Sequence, residues 1–262
     1  PHLSGEYHER QQTVNQNTVL HCYDTEKGLF RNTPTRAEYS EHTTLWAILS
    51  GAVSGNEASA LMDRTRNTAD VARCTFSMNH YMFRALEMSN RYDALADRLM
   101  DGWRQMMDLH CTSWCETPGN CRSECHGWSS APLYELSAMY LGIQPETPGF
   151  ASVIIRPHRN GLRFAKGTVP TPQGPIHVEW TVEKDTLTLD ATLPVGVSAT
   201  GAVDRDGPSG IVEHDAADGH LRRQHLPAAK LQITPELRAD ARHDLNGIER
   251  LCHIIVCAEI QA

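Results

Sequence analysis

The feature that most limits what this chain can fold into is a change of rhythm at Gly142. Beyond it, Pro145, Pro148, Pro157, Pro170, Pro172 and Pro175 arrive in quick succession. Proline lacks an amide hydrogen and its ring collides with the preceding helical turn, so no long helix survives that spacing. Between the prolines, Ser152-Val153-Ile154-Ile155 and Ile176-His177-Val178-Glu179-Trp180-Thr181-Val182 alternate as half-buried strands do. Lys184-Asp185 reads as a hairpin turn leading into a further alternating run, residues 186–192. This half is expected to be antiparallel β, a sandwich. Past Gly201, residues 204–223 read as loop and residues 254–260 as a closing strand.

The half before Gly142 has helical periodicity instead. Residues 6–23 are polar and Gln-rich, and Asp24-Thr25-Glu26-Lys27-Gly28 supplies a turn. Residues 41–53 carry Leu45, Ile48, Leu49 and Ala52 at helical spacing. Helices are also expected over 57–67, 76–88, 92–109 and 129–141. The 92–109 segment aligns Leu95, Leu99, Trp103 and Met106 on one stripe. Trp46 and Trp103 sit on apolar stripes and are expected in the core. Short helices in sequential pairs fit a bundle or an (α/α) toroid. The expected organisation is therefore a helical domain over 1–145 and a β domain over 146–262, the boundary lying near Gly142 to Gly149.

Composition narrows the function classes. Apolar residues make up 40% and charged residues 21% of the 262, which is the balance of a chain that buries a core. The net charge of -8 offers no basic stripe to displace counterions from phosphates, so no nucleic-acid partner is expected. No apolar run approaches the ~20 residues that span a bilayer, and the polar N-terminus does not read as a signal peptide. Pro1 at the first position gives the expectation of a processed, truncated or partial chain. A cytoplasmic setting with free thiols follows as the default for the eight cysteines.

The densest group of reactive side chains lies in Thr112-Ser113-Trp114-Cys115-Glu116-Thr117-Pro118-Gly119-Asn120-Cys121-Arg122-Ser123-Glu124-Cys125-His126-Gly127-Trp128, between two expected helices. Long loops on a rigid scaffold commonly carry function. Tryptophans, carboxylates, a histidine and an arginine are what a sugar site uses, stacking surfaces beside a few placed polar groups.

Ser123-Glu124-Cys125-His126-Gly127-Trp128-Ser129-Ser130-Ala131-Pro132 is similar to the S-x-C-H-x-W-S-x-x-P signature of bacterial α-L-rhamnosidases, glycoside hydrolase family seventy-eight. Leu141-Gly142-Ile143-Gln144-Pro145, Pro148-Gly149-Phe150 and Ile155-Arg156-Pro157 resemble the passage of that family from barrel to C-terminal sandwich. Upstream, Gly28-Leu29-Phe30 and Ser40-Glu41-His42-Thr43 look like its GLF…S-x-H stretch. Downstream, Gly167-Thr168-Val169-Pro170-Thr171-Pro172-Gln173-Gly174 and Val178-Glu179-Trp180 look like its G-x-x-PTP-x-G…V-x-W. The matches run in order from about 28 to 200, and the ordered set is far more specific than any one piece.

The resemblance implies an (α/α)6 toroid portion, of the six-hairpin glycosidase type, followed by an antiparallel β-sandwich. It also implies inverting hydrolysis of terminal α-L-rhamnosyl bonds by two carboxylates, ~6.5–9.5 Å apart so that water fits between. Glu116 stands where that family has its general base, His126 where it has a sugar-contacting histidine, and Trp128 where it would shape the pocket wall; Trp114, next to Glu116, is expected to face the site. The family's general acid belongs to an Asp/Glu-rich motif upstream of these segments. No such motif occurs between Pro1 and Glu41, so the expectation is a base without its acid. Partners are then a rhamnose-containing glycoside and either the remaining part of the barrel or a second copy of the chain. No cofactor is implied.

Bland readings compete with these. Glu116 could be a solvated loop carboxylate, and Glu124 is its rival for the base. His126 could anchor the loop, Trp128 could pack in a core, and Arg122 could merely brace a carboxylate. Cys111, Cys115, Cys121 and Cys125 could form a structural zinc site in a non-catalytic module, or two disulfides. A six-hairpin glycosidase of other sugar specificity is a further alternative, because fold does not set substrate.

Overall fold

The computed structural model describes residues 2–183, 186–202, 211–214 and 229–235. The chain divides into two compact units, Pro1–Ala131 and Pro132–Ala262. None of the described helices is long and apolar enough to cross a membrane.

The first unit opens with α1 (His2–Cys22). Its Gln11 and Asn15 side chains donate to the Ser50 carbonyl at 2.7 and 2.8 Å, while Leu3, Tyr7, Val14 and Leu20 are exposed. A small antiparallel sheet follows, β1 (Tyr23–Asp24), β2 (Leu29–Thr33) and β3 (Arg36–Tyr39). Helical periodicity does not reveal these strands. The expected turn at Asp24 is present: its carboxylate accepts from the Glu26 and Lys27 amides at 3.0 and 3.1 Å, and Gly28 takes a left-handed φ of 62°.

Four helices complete the unit, α2 (Glu41–Leu49), α3 (Gly55–Asn67), α4 (Phe76–Met88) and α5 (Tyr92–Asp108). The stripe read on α5 is buried at all four positions, Leu95, Leu99, Trp103 and Met106. Phe76 of α4 lies 4.8 Å, centroid to centroid, from Trp103, at a separation where aromatic pairs add to plain burial. Trp46 departs from expectation. It is 48% exposed and pairs with Tyr81 of α4 at 5.0 Å. The inward face of α2 is filled by Thr44, Leu45 and Ile48, and at about 100° per residue Trp46 falls on the side away from the centre of that face.

At the N-terminus of α2, Glu41 is buried and ties distant segments together. It pairs with Arg66 and, at 3.1 Å, with Arg73, and it accepts the Cys74 amide at 2.7 Å. A buried carboxylate is tolerable only with such partners. Its charge also sits in the first turn, where the helix dipole favours it.

The chain continues in a short helical stretch, α6 (Ala131–Glu135) followed by a π turn (Leu136–Tyr140), in place of the single longer helix expected over 129–141. Strand β4 (Ile143–Pro145) and β5 (Ser152–Ile155) then join β9 (Ser198–Ala202) and β10 (Ile211–His214) in a sheet of order β10-β9-β5-β4. The second sheet has order β11-β8-β7-β6, from β6 (Phe164–Thr171), β7 (Gly174–Glu183), β8 (Thr186–Leu193) and β11 (Ala229–Pro235).

The strands read at 152–155, 176–182 and 186–192 are all present. The sheets are mixed, however: β5 pairs with β9, and β8 with β11, in parallel. Alternation along a strand sets which face is buried and says nothing of a neighbour's direction, so the antiparallel expectation had no footing at those two pairs. Strand β10 also falls within 204–223, expected as loop. The Lys184-Asp185 turn and the closing strand at 254–260 lie outside the described residues.

Alternation does place the core. Ile176, Val178 and Trp180 of β7 are buried with Leu187, Leu189, Ala191 and Leu193 of β8, in one cluster with Ile143, Val153, Ile155 and Ala199 from the other sheet. Trp180 donates its indole N–H to the Tyr140 carbonyl at 2.8 Å, satisfying a buried donor that would otherwise cost stability. Pro145 ends an edge strand, where its missing amide leaves no ladder bond unmade.

Candidate active site

The site loop begins at the C-terminus of α5. His110 takes a left-handed φ of 55°, its amide bonds to the Met107 carbonyl at 3.0 Å, and the Cys111 amide reaches back to Met106 at 2.9 Å. This pair of bonds is the Schellman arrangement that satisfies the last carbonyls of a helix. It fixes where Cys111 and everything after it start.

Two backbone bonds then fold the loop on itself. The Glu116 amide donates to Ser123 at 2.9 Å, and the His126 amide to Trp114 at 3.1 Å. At its base, Ser129 donates its hydroxyl to the Cys115 carbonyl at 2.6 Å, and Trp103 of α5 donates to the Ser129 carbonyl at 2.7 Å. Core and loop are thereby tied together within the first unit.

The folding brings three sequence-predicted groups side by side. Glu116 Oε2 lies 3.4 Å from Arg122 Nε and 3.8 Å from His126 Nε2, with Glu116 half-buried. His126 Nε2 is buried and has no hydrogen-bond partner among the described residues. The His126 ring stands 4.3 Å from that of Trp128, which is 52% exposed. Trp128 is therefore no core residue. Trp114 is half-buried.

Glu124 is used differently. Its Oε2 accepts from the Thr112 amide at 2.7 Å and from the Thr112 hydroxyl at 3.2 Å. These bonds, the amide first, hold its carboxyl below the ordinary value. The rival carboxylate is a brace across the loop's two limbs.

The cysteines also differ from expectation. Cys115 and Cys121 are joined as a disulfide, whereas Cys111 and Cys125 are free. Cys111 Sγ sits 3.4 Å from Cys115 Sγ and 3.5 Å from Cys121 Sγ. The exposed Cys125 turns instead toward Ser123 Oγ at 3.4 Å. A uniform population of free thiols is thus corrected, and Cys125 does not join the other three. Spacings of four, six and four positions give no reason to separate Cys125 from the others; it turns instead to Ser123, two positions before it.

Residues 142–217 match the family model described as the bacterial alpha-L-rhamnosidase C-terminal domain. In this chain a helical unit is followed by a β unit that carries the match to that domain. More particularly, the chain resembles the C-terminal part of bacterial α-L-rhamnosidases. A 60-residue stretch, 22% of this chain, is 43% identical to an alpha-L-rhamnosidase of Alteromonas sp. (strain LOR), covering 6% of that protein. The fold is similar to that of a GH78 family rhamnosidase of Bacillus sp. GL1, with a TM-score of 0.70 at 21% identity over 86% of this chain and 24% of that one. It is also similar to a Streptomyces avermitilis alpha-L-rhamnosidase complexed with L-rhamnose, with a TM-score of 0.59 at 17% identity over 77% of this chain and 21% of that one. The chain thus spans about a quarter or less of the length of these relatives.

Proposed function

We propose that the chain contributes the general base and part of the sugar pocket of an α-L-rhamnosidase that cleaves terminal α-L-rhamnosyl bonds with inversion. The observation that carries this reading is the placement of Glu116 beside Arg122 and His126 inside a loop with ordered resemblance to that family. In an inverting reaction the base must hold a water and take its proton as the oxygen attacks the anomeric carbon. A half-buried carboxylate beside the Arg122 guanidinium suits this role, because it can hold a water and take its proton.

His126 supports the reading through its place beside Glu116, with no hydrogen-bond partner to its Nε2 among the described residues. Trp128 and Trp114 offer faces for the apolar side of the ring. The helical unit is read as a portion of an (α/α)6 toroid and the second unit as a β-sandwich. The general acid is assigned to no residue here, since residues 1–41 contain no Asp/Glu-rich motif. A chain of full family length that includes these residues supplies it in this account.

The test is hydrolysis of an aryl α-L-rhamnoside by that longer chain, with the product followed by NMR as it forms. β-L-Rhamnose appearing first supports inversion. α-L-Rhamnose appearing first, or no cleavage while another aryl glycoside is cleaved, overturns the reading.

A further inference from the structure

Three sulfurs converge where α5 ends. Cys111, Cys115 and Cys121 place their Sγ atoms within 4.8 Å of one another, with Cys115 buried and the other two half-buried. We propose that these three cysteines, when reduced, form a three-thiolate zinc site that staples the loop carrying Glu116.

Cys111 Sγ is almost equally far from the two bonded sulfurs, 3.4 and 3.5 Å. It therefore lies beside the middle of the Cys115–Cys121 bond and not on its axis. Thiol–disulfide exchange needs attack on one sulfur with the other leaving opposite it, and this placement is wrong for that. Three sulfurs around one point are instead the base of a thiolate tetrahedron. With Zn–S near 2.3 Å, such sulfurs stand about 3.8 Å apart, and the two non-bonded separations fall just short of that. Opening the disulfide lets the third widen to match.

Local structure fixes this triangle before any metal arrives. The Schellman turn sets Cys111. The Ser129 bond to the Cys115 carbonyl sets Cys115. The Glu116–Ser123 backbone bond closes the loop that returns Cys121. The half-exposure of Cys111 and Cys121 leaves a side open for a water as fourth ligand. Cys125 stays outside the set, against Ser123.

The chemistry balances simply. A phosphine takes up the oxygen of one water while the disulfide gains two electrons and two protons, yielding two thiols. Zinc then binds three thiolates and releases three protons, so affinity rises with pH while the thiols are protonated. Zinc and disulfide are mutually exclusive closures of one loop, and reducing conditions select the metal.

The experiment reads metal and not glycoside cleavage, so it stands apart from the proposed activity. The chain is reduced with a phosphine in metal-free anaerobic buffer, and zinc is titrated against a chromophoric chelator. Cobalt is used in parallel for its thiolate charge-transfer absorption. The expected result is one zinc per chain, a cobalt–thiolate band and a zinc-dependent rise in Tm. Cys111→Ser weakens binding by at least ~10-fold with an unchanged circular dichroism spectrum, whereas Cys125→Ser binds as the parent does. Absence of a cobalt–thiolate band in the reduced parent overturns the proposal without recourse to any variant. So does zinc binding that is indifferent to Cys111→Ser or that requires Cys125.

Discussion

Glu116 and Glu124 are eight positions apart on one loop, yet their surroundings set them to different work. Glu124 spends its acceptor capacity on Thr112, while Glu116 faces Arg122 and His126. Cysteines divide in the same way. Burial, reinforced by the nearby Glu41 charge, pushes the Cys74 thiol up to about 12, so almost none is thiolate at neutral pH, and the thiolate is the reactive form. A maleimide reaction mapped by mass spectrometry should label the exposed Cys125 at once and leave Cys74 untouched until the chain unfolds. At this scale the sequence revealed the loop and its candidate base through ordered motifs. It could not distinguish Glu116 from Glu124 by bonding, because Thr112 approaches Glu124 only through the loop's fold. Trp46 was misplaced because an apolar stripe on a short helix is broad enough to include a flanking exposed position.

Individual elements are tied by contacts that can be broken singly. In the small sheet, the Tyr39 hydroxyl donates to Asp24 Oδ2 at 2.7 Å. That bond is the main reason the Asp24 carboxyl is held down and the Tyr39 phenol pushed up. The lowered aspartate contributes stability that is complete above its unfolded pKa and is lost as pH falls through its folded one. The raised tyrosine contributes stability that is complete below its unfolded pKa and is lost as pH rises through its folded one. Tyr39→Phe should therefore flatten both ends of the stability–pH curve, and NMR titration should show Asp24 moving back up toward the ordinary range. An unmoved Asp24 contradicts this.

Gly142 is the second such point. Its φ is 84°, and a Cβ there would strike the backbone of Arg156 and Pro157, whose strand register depends on the bond from the Arg156 amide to the Gly142 carbonyl. Gly142→Ala should destabilise the second unit by more than the ~1–2 kcal/mol of a left-handed residue alone, measured by urea unfolding. A loss under ~0.5 kcal/mol, the range of ordinary surface changes, contradicts the close approach. Elements with clean periodicity, α5 and β7 above all, were legible in advance. Strands β2 and β3 were not, because Leu29-Phe30 is followed by polar Arg31-Asn32-Thr33 with no alternation to read.

At the scale of the whole molecule, the prolines mark the change from helices to strands after Gly142, while the two compact units divide at Ala131/Pro132. What the sequence could not supply was strand direction. Parallel pairing of β5 with β9 and of β8 with β11 joins segments far apart in the chain, and no local pattern encodes it. The site is a different case. Its side chains come from one continuous loop, which is why reading motifs along the chain reached it at all.

In the proposed function Glu116 acts as the base. Its most direct test is kcat for an aryl α-L-rhamnoside, measured on the full-length chain and on Glu116→Gln and Glu124→Gln made in it. A fall of at least ~100-fold is expected for Glu116→Gln, the scale of general-base catalysis, and a rate within a few-fold of the parent for Glu124→Gln. Undiminished turnover in Glu116→Gln, or a collapse confined to Glu124→Gln, contradicts it.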